Sequence, residues 1–123
     1  MAGYLLDTNS VIYFFNGESK ISNLIEKAEE DIVISFITKI EMLSFEVDDT
    51  AIKRKIGEFL KEIKIILIDE DIIKATIEYR RKFKLKVPDA IICATAKSLG
   101  LTLVTADKIL IKNLKGLNII SPI

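Results

Sequence analysis

Four acidic residues stand where ordinary surface solvation does not account for them. Asp7 directly follows the apolar run Tyr4-Leu5-Leu6, and Asp107 follows Leu103-Val104-Thr105-Ala106. Asp89 heads the small, apolar segment Ala90-Ile91-Ile92-Cys93-Ala94-Thr95-Ala96. Glu41 has Ile37 and Phe45 four residues away on either side, so at helical spacing its own face is apolar. A carboxylate in such a setting is costly unless it is paired, protonated or bound to metal. Carboxylate oxygens suit hard cations, Mg2+ or Mn2+. A plainer reading stays open for Asp7, Asp89 and Asp107, because acids also cap helices and complement their dipoles.

The rest of the composition removes competing chemistries. The chain has no histidine, which excludes His general acid–base work, His–metal ligation and Ser-His triads. Its single cysteine excludes an intrachain thiolate zinc cluster and a disulfide framework, and fits a reducing compartment. Cys93, one turn after Asp89, reads as small core packing. None of the five glycines belongs to a GxGxxG or Walker loop. Formal net charge is zero, so contact with nucleic acid requires a local basic patch. The densest is Arg80-Arg81-Lys82-Phe83-Lys84-Leu85-Lys86, which ends just before Asp89. Arg80, Arg81, Lys82, Lys84 and Lys86 read either as a solvated helix end or as a rim contacting RNA phosphates. No apolar run approaches a membrane span and the N-terminus has no basic-then-apolar leader, so a cytoplasmic protein without a membrane partner is expected.

The elements that must hold the acids follow from hydrophobic patterning. With 123 residues, half of them hydrophobic, the chain fits one domain, residues 1–123, with a proper core. Tyr4-Leu5-Leu6, Asp31–Ser35, Lys64–Ile68, Leu101–Thr105 and Leu117–Ile120 read as strands. Between them lie helical patterns: one beginning near Ser10 with Thr8 and Asn9 supplying cap oxygens, then Ser19–Glu30 and Ile37–Phe45. A fourth starts at Asp48-Asp49-Thr50 and buries Ile52, Ile56, Phe59 and Ile63. A fifth runs to about Lys84, burying Ile72, Thr76, Tyr79 and Phe83. A sixth opens at Val87-Pro88-Asp89 and ends at Gly100, and a short one spans Asp107–Lys112. Alternating strands and helices predict an α/β domain: a central parallel sheet of about five strands with helices on both faces. Asp7 then lies at the carboxyl end of a central strand, the edge where such sheets bind ligands.

These residues carry a resemblance. Leu6-Asp7-Thr8-Asn9, the stretch Ser35–Leu43 containing Glu41, Pro88 to Ala96, and Leu103-Val104-Thr105-Ala106-Asp107 resemble, in order and spacing, the motifs of PIN-domain ribonucleases. Within that family the chain is similar to the VapC toxins of VapBC toxin–antitoxin pairs. The acid-Ala-aliphatic-aliphatic helix followed by a strand ending in T-x-D is the most specific part. Many relatives place a glycine shortly after the acid matching Glu41, whereas here Met42-Leu43-Ser44-Phe45-Glu46 follows.

The resemblance implies a PIN-like fold with Asp7, Glu41, Asp89 and Asp107 gathered at the carboxyl edge of the sheet. Converging carboxylates repel unless a cation neutralises them, so Mg2+ or Mn2+ is the expected cofactor. Asp7 and Asp89 are then the most direct ligands. Glu41 and Asp107 bind a second ion or orient metal-bound water, and Thr8, Asn9 and Thr105 orient the carboxylates from behind. The activity implied is hydrolysis of RNA phosphodiester bonds by a metal-activated water, leaving a 5′-phosphate and a 3′-hydroxyl. The partners implied are the RNA substrate, a VapB-like antitoxin and a second copy of the chain in a homodimer. Tyr13-Phe14-Phe15, three consecutive aromatics that one helix face cannot bury, is the surface expected to serve them. Two other readings use the same residues. One is a PIN-like module that binds RNA or protein without cleaving, although such a module has no need of all four acids. The other is a phosphotransfer receiver with Asp69 as acceptor, against which Ile65-Ile66-Leu67-Ile68-Asp69 leads straight into a helix-start acid run.

Overall fold

The apolar runs lie side by side as strands. In the computed structural model, which describes residues 2–123, they form β1 (Gly3–Leu6), β2 (Asp31–Ser35), β3 (Lys64–Ile66), β4 (Thr102–Val104) and β5 (Ile119–Ile120). All four pairings are parallel and the order is β3-β2-β1-β4-β5. The first strand is thus central, as its unbroken hydrophobicity requires. The chain moves outward through β2 and β3 on one side of β1, then returns to build β4 and β5 on the other. That reversal beside β1 is the position where open α/β sheets form their crevice.

Helices α1 (Thr8–Phe15), α2 (Ser19–Lys27), α3 (Phe36–Ser44) and α4 (Thr50–Glu62) follow the first two strands. Helices α5 (Glu70–Phe83), α6 (Val87–Leu99) and α7 (Lys108–Asn113) belong to the second half. Strand register decides which helices cover which face. Leu5 lies opposite Val33 and Leu103, and Leu6 opposite Ile34 and Val104. Because successive side chains point to opposite faces, the first row packs with Ile92, Cys93 and Ala96 of α6 and Leu110 of α7. The second row packs with Val11, Ile21, Met42, Ile56 and Leu60 of α1 to α4. All six strand residues are fully buried. A Cβ added at Gly3 would meet the Asp31 carbonyl oxygen at 2.6 Å, so glycine is required for β1 to enter beside β2.

Helix α6 is wedged between the sheet and α5, and every residue from Ala90 to Ala96 is buried. Its small side chains permit that approach. Gly100, left-handed at φ 65°, ends the helix, and Leu101 donates back to the Ala96 carbonyl as in a Schellman turn.

Several boundaries differ from the patterning. Helix α2 stops at Lys27, and β3 stops at Ile66, leaving Leu67 and Ile68 exposed. Strands β4 and β5 are likewise shorter than their apolar runs. Ile52, expected on the buried face of α4, is exposed; the buried residues there are Ile56 and Leu60. The aromatics at the end of α1 are better covered than expected. Phe59 of α4 packs against Phe14 and Phe15, with ring centroids 5.9 and 5.3 Å apart, so the run is half-buried rather than bare. No helix among the described residues is long and apolar enough to cross a membrane.

Candidate functional site

Asp7, Glu41 and Asp107 are placed by strand–helix junctions or by a helix beginning at one, and Asp89 by the start of α6 after the short link from α5. Asp7 ends β1 and caps α1: its Oδ1 accepts from the Ser10 amide at 2.8 Å. The cap is therefore Asp7 itself, and the expectation that Thr8 and Asn9 cap a helix starting near Ser10 is corrected. Only Asp7 has the extended backbone of a cap; Thr8 already lies in the helix. Asn9 faces solvent. Asp107 caps α7 in the same manner, its Oδ1 accepting from the amides of Ile109 and Leu110. The recorded bonds to these two aspartates use Oδ1, which leaves Oδ2 of each for another partner. Capping and ligation are therefore compatible roles for one side chain.

The two junctions are tied together. Asp7 N–H and the Ser10 hydroxyl both donate to the Val104 carbonyl, at 3.1 and 2.8 Å. Thr105, the next residue, is fully buried; its Oγ1 accepts from Asp107 N–H at 3.1 Å, and its own N–H donates to Ile120. The end of β4 is thereby fixed against β1 on one side and β5 on the other, which sets where Asp107 stands.

Glu41 sits on α3 and is half-buried, but its surroundings are not purely apolar. The Thr8 hydroxyl donates to Glu41 Oε1 at 2.6 Å, and Thr8 Oγ1 lies 3.0 Å from Thr38 Oγ1. Because a carboxylate only accepts, Thr8 gives its proton to Glu41 and Thr38 must donate to Thr8. This relay satisfies the carboxylate that the Ile37–Phe45 spacing left without a partner. Thr38, fully buried, was not singled out from the sequence. The signal was its position three residues before Glu41, on the same helix face. Ser10 was missed for a different reason, because nothing local reveals a hydroxyl bonding 94 residues away.

Asp89 lies in the first turn of α6 behind Pro88, and α6 starts at Val87 as the sequence indicates. Burial pushes its carboxyl above the ordinary 3.8, and the charges of Asp107, Asp7 and Glu41 push it further, with Lys86 opposing least strongly. One side chain thus feels all three of the other acids. Burial first, then Asp89, Asp7 and Asp107, push the Cys93 thiol up to about 12. It stays protonated and is neither nucleophile nor ligand.

The donor set fits a hard divalent cation: carboxylate oxygens backed by hydroxyls, with no imidazole or thiolate. Among the described residues no three acid or thiol groups stand as a ready-made cage. The five basic residues expected near the site are all exposed. Arg80 Nε donates to the Leu85 carbonyl across the end of α5, and Lys82 Nζ lies 5.4 Å from the Phe83 ring centroid. Lys86 is the member of this group whose charge reaches Asp89. Asp69 serves as the cap of α5, accepting from Ile72 N–H, at the end of an outer strand.

Comparison with known proteins gives a consistent picture. The family model described as PIN domain matches residues 4–116. Ribonuclease VapC2 of Methanocaldococcus jannaschii is 32% identical, with 74% of each chain covered. A chain in a toxin–antitoxin complex from Klebsiella pneumoniae is 31% identical, with a TM-score of 0.76 and 98% of each chain covered. A chain in the structure of VapBC2 from Rickettsia felis bound to a promoter DNA fragment shares the fold, with a TM-score of 0.82 at 24% identity over 97% of this chain and 98% of that one.

Proposed function

This chain belongs to the PIN-domain family, and from that premise we propose that it is a metal-dependent endoribonuclease, the toxin of a type II toxin–antitoxin pair. The observation that carries this reading is the environment of Asp89, whose carboxyl is raised first by burial and then by the nearby charges of Asp107, Asp7 and Glu41. Kinship with a ribonuclease and with a chain of a toxin–antitoxin complex supports it.

Asp7 and Asp89 would be the residues that hold Mg2+ or Mn2+ most directly. Asp7, already held in place by its bond to the Ser10 amide, would hold the cation without a further ordering cost. Glu41, steadied by Thr8 and Thr38, and Asp107, steadied by Thr105, complete the acidic rim. A cation held there supplies charge for the phosphoryl oxygens and makes water nucleophilic near neutral pH. The residues themselves bind it, orient its ligands and keep the site acidic enough to exclude RNA in its absence. Arg80, Arg81, Lys82, Lys84 and Lys86 provide the opposing charge that draws the phosphate backbone to the same edge.

A VapB-like antitoxin and a second copy of the chain are the proposed protein partners. Exposed Ile40 and Leu43 on α3, and Ile73 and Ile77 on α5, support the existence of such contacts. The function is tested by incubating RNA with the protein and Mg2+ or Mn2+ and characterising the product ends. Products with 5′-phosphate and 3′-hydroxyl ends, lost on chelation, are expected. Cyclic 2′,3′-phosphate ends that persist under chelation would overturn the reading.

A further inference from the structure

Beside the α5–α6 pair, lysines from three separate segments line one cavity. Lys82 comes from α5, Lys97 from α6 and Lys115 from the loop between α7 and β5. The cavity measures about 200 Å³, and Tyr79, Phe83 and Glu78 of α5 also line it. The Tyr79 and Phe83 rings are stacked, with centroids 5.9 Å apart and planes 29° from parallel. Tyr79, Lys97 and Lys115 play no part in the acid site. Lys97 follows Asp89 by eight residues of the same helix, so it stands roughly 12 Å along the axis from that acid.

Three lysines against one glutamate give the cavity lining a positive balance. What they suit is an anion. Tyr79 and Phe83 pack against the core and line the cavity with the surface that stays exposed, which can take a planar partner. Cations beside stacked rings form the combination that holds single-stranded nucleic acid, phosphates on one and bases on the other. The cavity is smaller than an ordinary small-molecule pocket of about 300 Å³ or more, so it fits part of a longer chain better than a whole cofactor. Arg80, Arg81 and Lys84 line another cavity on the opposite flank of α5, and Lys86 carries the positive charge on toward Asp89.

We propose that this cavity is a second RNA-holding site, which grips a single-stranded nucleotide of the substrate away from the bond that is cleaved. Its base lies against Tyr79 and Phe83, and its phosphates lie on Lys97 and Lys115. The proposal rests on the ribonuclease reading above. It makes affinity depend on RNA length, because only a strand that reaches from the acids down α6 engages both places.

The test is Lys97→Gln combined with Lys115→Gln in the full chain, both residues being exposed. Each lost phosphate contact lowers the salt slope of single-strand binding by about 0.7, so the pair should lower it by about 1.4 for an RNA of about 16 nucleotides. Cleavage of an RNA of about four nucleotides should be unchanged. An unaltered slope with the long RNA, while the wild type binds it, overturns the cavity and leaves the nuclease standing. An equal loss on the short RNA also overturns it, by placing these lysines at the acid edge. Tighter wild-type binding to polyglutamate than to RNA, lost in the double variant, would make it a site for acidic protein instead. A wild type that neither binds nor cleaves RNA sinks both this site and the proposed function.

Discussion

The hydroxyl of Thr8 donates to Oε1 of Glu41 at 2.6 Å, joining residues 33 apart in the chain. It links the start of α1 to α3, and it orients an acid flanked at helical spacing by Ile37 and Phe45. Thr8→Val keeps the shape and removes the donor. Metal affinity or RNA cleavage should fall by about 10- to 100-fold, the usual effect of losing a partner behind a ligand. Thr8→Ser should restore most of it. Calorimetric metal titration of the three proteins checks this, and equal affinities would show that Glu41 needs no positioning.

Asp7 has two duties, and substitution can separate them. Asn caps a helix about as well as Asp, so Asp7→Asn should fold normally and lose metal binding. Asp7→Ala loses the cap as well, at a cost of about 1 kcal/mol. Denaturant titration distinguishes them; equal destabilisation by both would mean that the charge, not the cap, holds the junction.

Asp89 predicts a pH dependence. Its raised carboxyl means that the fold binds this proton more tightly than the unfolded chain does. The stability it contributes is present below the ordinary 3.8 and is lost as pH rises through the elevated folded value. Asp89→Asn should therefore raise the melting temperature of the chelator-treated protein by a few degrees at about pH 7. The gain should shrink as pH falls toward the ordinary value. Melting scans in chelator across that range check it, and a variant that melts below the wild type at about pH 7 would contradict the repulsion.

Neutralising any two of Arg80, Arg81, Lys82, Lys84 and Lys86 should weaken RNA binding and lower its salt slope by roughly one to two units. An unchanged slope would return this stretch to helix-end electrostatics, for which the Arg80 bond to Leu85 already gives a local reason.

The aromatic run of α1 yields a two-part expectation. Phe14→Ser with Phe15→Ser should lower the melting temperature, because both rings pack on Phe59. It should also weaken self-association or capture of the antitoxin. Light scattering and a pull-down with the neighbouring gene product, done below the variant's melting temperature, measure both. A monomeric wild type that ignores that product would remove the toxin–antitoxin assignment and leave the nuclease.

The parallel sheet was legible because Leu5-Leu6, Val33-Ile34 and Leu103-Val104 are unbroken apolar pairs, which only a sheet covered on both faces can bury. Strand ends were not, because Leu67 and Ile68 carry the same residue types as β3 yet lie outside its ladder. The acids themselves stood out by position, since each sits against apolar sequence. Their supports did not. Thr38 and Ser10 are ordinary polar residues until the fold brings Thr8 and Val104 beside them. The cover that Phe59 gives Phe14 and Phe15 was hidden for the same reason, as it joins two distant helices.

The most direct measurement is RNA cleavage by the wild type and Asp89→Asn at matched concentrations, each with Mg2+, with Mn2+ and with chelator. The four-acid account predicts cleavage by the wild type with metal, none in chelator, and none by the folded variant under any condition. Cleavage by Asp89→Asn at near wild-type rate would contradict it.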